Sequence, residues 1–135
     1  MYPYREPAPI RMFHIDPSDP TPIEAQLVRT VRSAVGAGLL AAGDRLPTVR
    51  QLAVDLRVGA NAVERAYEEL ERQGVLATRA GVGTVVRASA DEIRREELYD
   101  ELSALEDTLL REAAELGFSL DDVIIHLDSR RGRQE

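Results

Sequence analysis

The side chains in this sequence with chemistry to offer are arginines, and what they offer is recognition rather than catalysis. All 17 basic residues among the 135 are arginine. A planar guanidinium can hold a phosphate or a guanine edge through two parallel hydrogen bonds. With no lysine, a Schiff-base enzyme and a phosphate-loop lysine are excluded. With no cysteine, disulfides and thiolate metal sites are excluded as well. His14 and His126 stand apart from each other and from any ligand-spaced partner, so no metal is expected. Carboxylates are plentiful, but on helical faces that read as solvated surface. Gly81-Val82-Gly83 lies between two β-type runs, not between a strand and a helix, so it is no phosphate cradle. No catalytic residue and no cofactor are expected, and the chain does not read as an enzyme.

The elements that must position the arginines occupy residues 43–87, GDRLPTVRQLAVDLRVGANAVERAYEELERQGVLATRAGVGTVVR. Ala42-Gly43-Asp44 reads as a turn and Arg45-Leu46 as a brief strand. Thr48 is placed to cap a short helix, with Gln51 at the reciprocal position and Val49, Leu52, Ala53 and Leu56 lining its inner face. The chain turns around Arg57-Val58-Gly59. A second helix then puts Val63, Ala66, Tyr67 and Leu70 inward and Asn61, Glu64, Arg65 and Glu68 outward, ending at Gln73-Gly74. Two strand-like runs, 75–79 and 84–87, flank a tight loop at Ala80-Gly81-Val82-Gly83. The pattern is that of a winged helix-turn-helix, mainly α with a small β-wing, whose protruding helix is the usual way to place side chains in the major groove of DNA. Arg57 suits a phosphate contact or solvated surface equally. Arg65 can reach the DNA backbone or pair with Glu68 and Glu69 on its own helix.

Residues 1–20 hold five of the seven prolines and read as a flexible arm, a plain tail more readily than one carrying Arg5 and Arg11 into a minor groove. A first helix starts at Thr21 as cap, with Pro22 in the first helical position and Glu24 completing a capping box. Its stripe is Ile23, Leu27, Val31 and Val35, and Gly36 and Gly38 end it. The winged domain thus spans 21–88. A helical region, 89–130, follows, with a short tail at 131–135. Within it Leu98, Leu102, Leu105, Leu109 and Leu116 fall on alternating spacings of four and three, apart from one skipped position at Glu112. After Gly117, Ser119 and Asp122 open a last helix with Leu120, Val123, Ile124 and Leu127 on one face. Two such helices cannot bury their apolar faces alone, so Leu98, Leu102, Leu105, Leu109, Leu116, Val123, Ile124 and Leu127 are expected to pair with a second copy or to pack on the first domain.

Net charge sharpens the division. Residues 1–90 hold 11 arginines against 10 acids, whereas residues 91–135 hold 6 against 14. The acidity of a chain with pI near 4.9 therefore lies in the appendage, leaving the winged part slightly basic. No apolar run approaches the roughly 18 residues of a membrane span, and no signal pattern opens the chain. A cytoplasmic protein without membrane attachment is expected.

These residues resemble the GntR family of bacterial regulators. The resemblance is carried by Pro22-Ile23, Gly38-Leu39, Gly43, Leu46-Pro47, Arg50, Leu52-Ala53, Val58, Asn61, Val63, Arg65-Ala66-Tyr67, Leu70, Gly74-Val75 and Gly81-Val82-Gly83-Thr84. The short helical tail is similar to the YtrA-like branch, in which the appendage serves dimerisation. The resemblance implies that Arg50 touches DNA beside the recognition helix and that Asn61 reads an adenine edge or holds a phosphate. It implies that Arg79 and Gly81 form the wing contact, and it groups Thr48, Arg57, Gly59, Ala60, Ala62, Glu64 and Arg65 with them. Gly59, Ala60 and Ala62 replace residues that are often polar in the family, so three polar contacts are absent. Glu64 stands where a neutral or basic residue is common. The function so implied is a DNA-binding transcription regulator, a repressor acting as a homodimer on an inverted-repeat operator. Its partners would be double-stranded DNA, a second copy and an unidentified small-molecule effector at the dimer interface. The alternative is a winged-helix protein-interaction module with weakened or lost DNA binding.

Overall fold

A computed structural model of the chain describes residues 13–133. Their order is α1 (Ile23–Gly36), α2 (Val49–Leu56), α3 (Ala60–Arg72), β1 (Leu76–Arg79), β2 (Gly83–Val86), α4 (Ala90–Glu115) and α5 (Leu120–Ser129), closed by a single 3-10 turn at Arg131–Arg133. The chain divides into two compact units between Arg94 and Arg95, inside α4.

The first unit is built on three amphipathic helices. Leu27, Val31 and Val35 of α1, Leu52 of α2 and Val63, Ala66, Tyr67 and Leu70 of α3 are buried together, joined by Val75, Leu76 and Val86 from the hairpin. Leu52 and Leu70 are wholly buried, and burying a side chain of this size contributes about 1.5–3 kcal/mol. The strands pair antiparallel from Leu76↔Val86 to Arg79↔Gly83. The brief strand expected at Arg45-Leu46 is one bridge, Arg45↔Val85, flanked by Gly43 N to Val86 O at 2.8 Å and Leu46 N to Thr84 O at 2.9 Å. The segment before α2 thus forms a third edge of the wing. Ile93, in the first turn of α4, is wholly buried, and a Cβ at Gly36 would meet its Cγ2 at 3.3 Å. Glycine lets the end of α1 approach Ile93 without displacing its side chain, whereas a Cβ would require a shift of a few tenths of an ångström. The winged unit therefore extends past the expected boundary at 88 and takes in the start of α4.

Two expectations at the N-terminal side need correction. Residues 13–20 are no loose arm: Phe13 is buried in the core and Ile15 packs against it. Buried Gln26 holds this segment at both ends, accepting from Asp16 N at 2.9 Å and donating to Asp16 O at 3.1 Å and Thr21 O at 2.9 Å. Arg5 and Arg11 lie outside the described residues. Nor does Thr21 cap α1. Its amide donates to Asp19 Oδ1 and its carbonyl is taken by Gln26, Pro22 occupies the capping position, and no side chain caps the helix. The capping box expected of Glu24 is therefore not made, which leaves that carboxylate for another partner.

In the second unit, Gly117 ends α4 and a complete capping box between Ser119 and Asp122 starts α5. The backbone amide and hydroxyl of Ser119 hold the Asp122 carboxyl below the usual carboxylate range. Ala113 is buried and Leu110 and Val123 are half-buried, so only the turn between the two helices is covered. Among the described residues no helix is long and apolar enough to cross a membrane.

Because Gln26 makes three hydrogen bonds from a buried position, Gln26→Ala is expected to lower stability by about 2–3 kcal/mol, at roughly 1 kcal/mol per bond. Urea denaturation measures the loss, and hydrogen exchange should show the Asp16 amide losing protection at the same time.

Candidate nucleic-acid interface

The candidate surface begins with the fixing of α2 against α3. Thr48 Oγ1 accepts from Gln51 N at 3.1 Å and Gln51 Oε1 accepts from Thr48 N at 3.0 Å, the reciprocal box expected of them. Arg50 follows two residues on and is exposed. The Tyr67 hydroxyl, buried under α3, donates to Pro47 O at 2.7 Å. Burial pushes the phenol far above its ordinary pKa, so it stays protonated and keeps donating. That bond ties the middle of α3 to the residue just before the cap of α2.

The turn between the helices is strained. Arg57 adopts φ 57° and ψ 46°, the only non-glycine among the described residues with positive φ. Its amide bonds to the carbonyls of Ala53 and Val54, and Val58 N reaches Ala53 O at 3.1 Å, the pattern that closes a helix on a left-handed residue. The Arg57 side chain is exposed. Gly59 then caps α3 without a side-chain bond. The first amides of α3 thus have no side-chain acceptor and carry the positive end of the helix dipole.

Along α3, the buried Val63, Ala66, Tyr67 and Leu70 force the opposite face outward. Asn61, Glu64 and Arg65 are exposed, as are Gly59 and Ala60, while Ala62 is half-buried. Arg65 does not pair with Glu68 or Glu69 as its spacing suggests. Its Nε lies 3.0 Å from Glu24 Oε2 of α1. Glu69 is already committed to Arg72 and to Gln73 Nε2 at 2.8 Å, and these two donors hold its carboxyl below the ordinary range. Glu24 is the residue that sequence reasoning missed at this surface. No local signal marks it, since its partner lies on another helix.

The wing is closed by Val82 N bonding Arg79 O at 3.0 Å, with Gly81 at φ 75° inside the turn. A side chain there would be strained, so glycine keeps the tip narrow. Arg79 and Gly81 are both exposed. The first unit therefore carries Thr48, Arg50, Arg57, Asn61, Glu64, Arg65, Arg79 and Gly81 on its exterior. Among the described residues no cluster of three or more His, Asp or Glu could hold a metal.

The second unit carries the other candidates. Leu98, Leu102, Leu105 and Leu109 form one exposed stripe on α4, and Ile124 and Leu127 are exposed on α5, with Val123 half-buried. Leu116, expected to continue the helical seam, comes one residue after α4 ends and is 76% exposed. Leu109, Ala113, Leu116, Phe118, Val123 and Leu127 line an open cleft of about 920 Å³.

Residues 23–86 match the family model described as bacterial regulatory proteins, gntR family. The HTH-type transcriptional repressor YtrA of Bacillus subtilis is 39% identical over 79 residues, covering 58% of this chain and 61% of the repressor, so the match spans less than two thirds of that relative. Among solved structures, a GntR family transcriptional regulator from Listeria monocytogenes is similar at a TM-score of 0.51 and 30% identity, covering 85% of this chain and 98% of the other. YtrA from Sulfolobus acidocaldarius, a GntR-family transcription factor, is similar at a TM-score of 0.54 and 29% identity, covering 68% and 98%.

The left-handed backbone at Arg57 yields a stability test that needs no ligand. Glycine adopts this conformation without strain, so Arg57→Gly is expected to raise or at least keep stability, with a gain of up to about 1 kcal/mol in thermal unfolding. A clear drop would show that the Arg57 side chain has a structural role in the free protein.

Proposed function

The chain belongs to the GntR family of bacterial regulatory proteins, in its YtrA-like branch, and from that premise we propose that it represses transcription as a homodimer bound to an inverted-repeat operator. The observation that carries the DNA-binding part is the divided character of α3. One face is locked into the core by four buried side chains and the Tyr67 bond, while Asn61, Glu64 and Arg65 face outward. Arg50 and Arg57 at the ends of α2 and Arg79 beside the wing tip supply cations on the same unit.

In this reading α3 lies in the major groove. Arg50 grips a guanine edge or a phosphate with its fork, Asn61 meets an adenine edge or phosphate, and Glu64 accepts from a cytosine amino group. Gly59, Ala60 and Ala62 contribute little side chain of their own, and the uncapped amides beside them offer donors to a phosphate instead. Arg79 and Gly81 let the wing approach the backbone. If Arg50, Arg57, Arg65 and Arg79 are the phosphate contacts, the dimer neutralises about eight phosphates and shows a moderate salt dependence.

Pairing is supported by the exposed leucine stripe. A run of large apolar side chains on one helix face costs free energy in water and marks a contact surface. The occupant is a second copy, which would fill the α4–α5 cleft and bring two reading heads to half-sites about 34 Å, or a multiple of it, apart. An effector would have to share that cleft. Such a regulator works on chromosomal DNA in the cytoplasm, and as a family of regulators its members are not enzymes.

Two measurements follow. Wild-type protein should shift duplex from its own promoter region at low salt, and Arg50→Ala should weaken that binding about 5- to 100-fold, the range for losing one good bidentate contact. No shift by the wild type, together with capture of a defined protein partner, would favour the interaction-module alternative. Leu105→Glu should convert a dimer to a monomer in light scattering and lower operator affinity with it. A wild type that is already monomeric at micromolar concentration would contradict the pairing.

A further inference from the structure

We propose that Glu24 gates Arg65: it holds the guanidinium on the winged unit in the free protein, and duplex binding exchanges this carboxylate for a backbone phosphate. The proposal rests on the DNA-binding reading above and adds a residue from outside the helix-turn-helix that sets how strongly the reading helix engages DNA.

The geometry is a direct ion pair between two helices. Arg65 Nε is 3.0 Å from Glu24 Oε2, with the arginine side chain 66% exposed and the glutamate 43%. Glu24 stands in the first turn of α1, where the helix dipole favours its negative charge. It is free for this task because Pro22, not Thr21, occupies the capping position, and the capping box that would have engaged it does not form. The acid on α3 best placed to compete, Glu69, is held by Arg72 and Gln73. Glu64 and Glu68, also on α3, are exposed.

Two features make this pair a gate rather than a permanent brace. An ion pair as open to solvent as this one is weak, so a phosphate offering a charge-assisted bidentate contact can displace the carboxylate. Glu24 is half-buried but keeps 43% of its side chain in solvent, so its carboxylate can be hydrated after the exchange. Displacement frees a carboxylate that attracts a cation, which offsets part of the counterion release that favours DNA binding. Glu24 therefore lowers affinity for any duplex through Arg65, without regard to base sequence.

The test compares wild type, Glu24→Gln, Arg65→Ala and the double variant, as full chains, for binding to one duplex across a potassium chloride series. Glu24→Gln should bind about two- to fivefold tighter, the range for releasing one exposed ion pair, with a salt slope steeper by up to about one. In the Arg65→Ala background the same substitution should change nothing. Equal or weaker binding by Glu24→Gln overturns the gate. So does an undiminished gain in the Arg65→Ala background, which would assign the effect to general repulsion of phosphate. If wild type and every variant fail to bind any duplex, the DNA-binding reading itself falls, a result distinct from either of these.

Discussion

Everything in the winged unit depends on α3 keeping one face in the core while the other stays in water. Val63, Ala66 and Leu70 are wholly buried and Tyr67 nearly so. A helix held by apolar contacts alone can still slide or rotate by small amounts. The Tyr67 hydroxyl removes that freedom, because its bond to Pro47 O is buried and would cost free energy if left unmade. Pro47 immediately precedes the Thr48 cap, so the same bond sets where α2 begins relative to α3. The exposed residues Asn61, Glu64 and Arg65 inherit their position from contacts on the far side of their own helix.

The parts that were legible in the sequence are those set by neighbours a few residues apart. The buried stripe of α3, the Thr48–Gln51 box, the glycine-closed wing and the Ser119–Asp122 box all follow from helical or hairpin spacing, and each stands where that spacing puts it. The misreadings involve groups brought together from distant stretches. Phe13 sits in a proline-rich context that hides a core residue. Gln26 carries no local signal for its role, yet its amide gathers Asp16 and Thr21. Glu24 fitted a local capping box, and its actual partner stands on α3. For Glu24 the local pattern offered a satisfactory use, and tertiary structure supplied a different one.

The tail follows the opposite logic. Among the described residues the winged unit buries or half-buries its large apolar side chains, apart from Leu39 and Val54, whereas α4 and α5 leave most of theirs in solvent from Leu98 to Leu127. The many acids of α4 keep its other faces solvated without covering the stripe. A 26-residue helix is long enough to persist once its apolar side is occupied, and marginal when it is not. Its first turn is the exception, since Ile93 is sealed in the winged core. That anchorage explains why the division of the chain falls inside the helix and not at its start.

The turn between α2 and α3, part of the proposed recognition surface, is built at the expense of local stability. A left-handed arginine at 57 is less favourable than glycine would be, and Gly59 gives up the side-chain bond that serine, threonine or asparagine would make to the start of α3. Either choice alone is an ordinary small loss. Together they leave one exposed guanidinium, and first-turn amides without a side-chain acceptor, at the same bend, both of which an anion would satisfy. Arg57 and Gly59 thus forgo stability two residues apart, and a bound anion is the kind of group that would offset the loss. In the proposed reading a DNA phosphate would be that anion, and the small, exposed Ala60 leaves the backbone open to its approach.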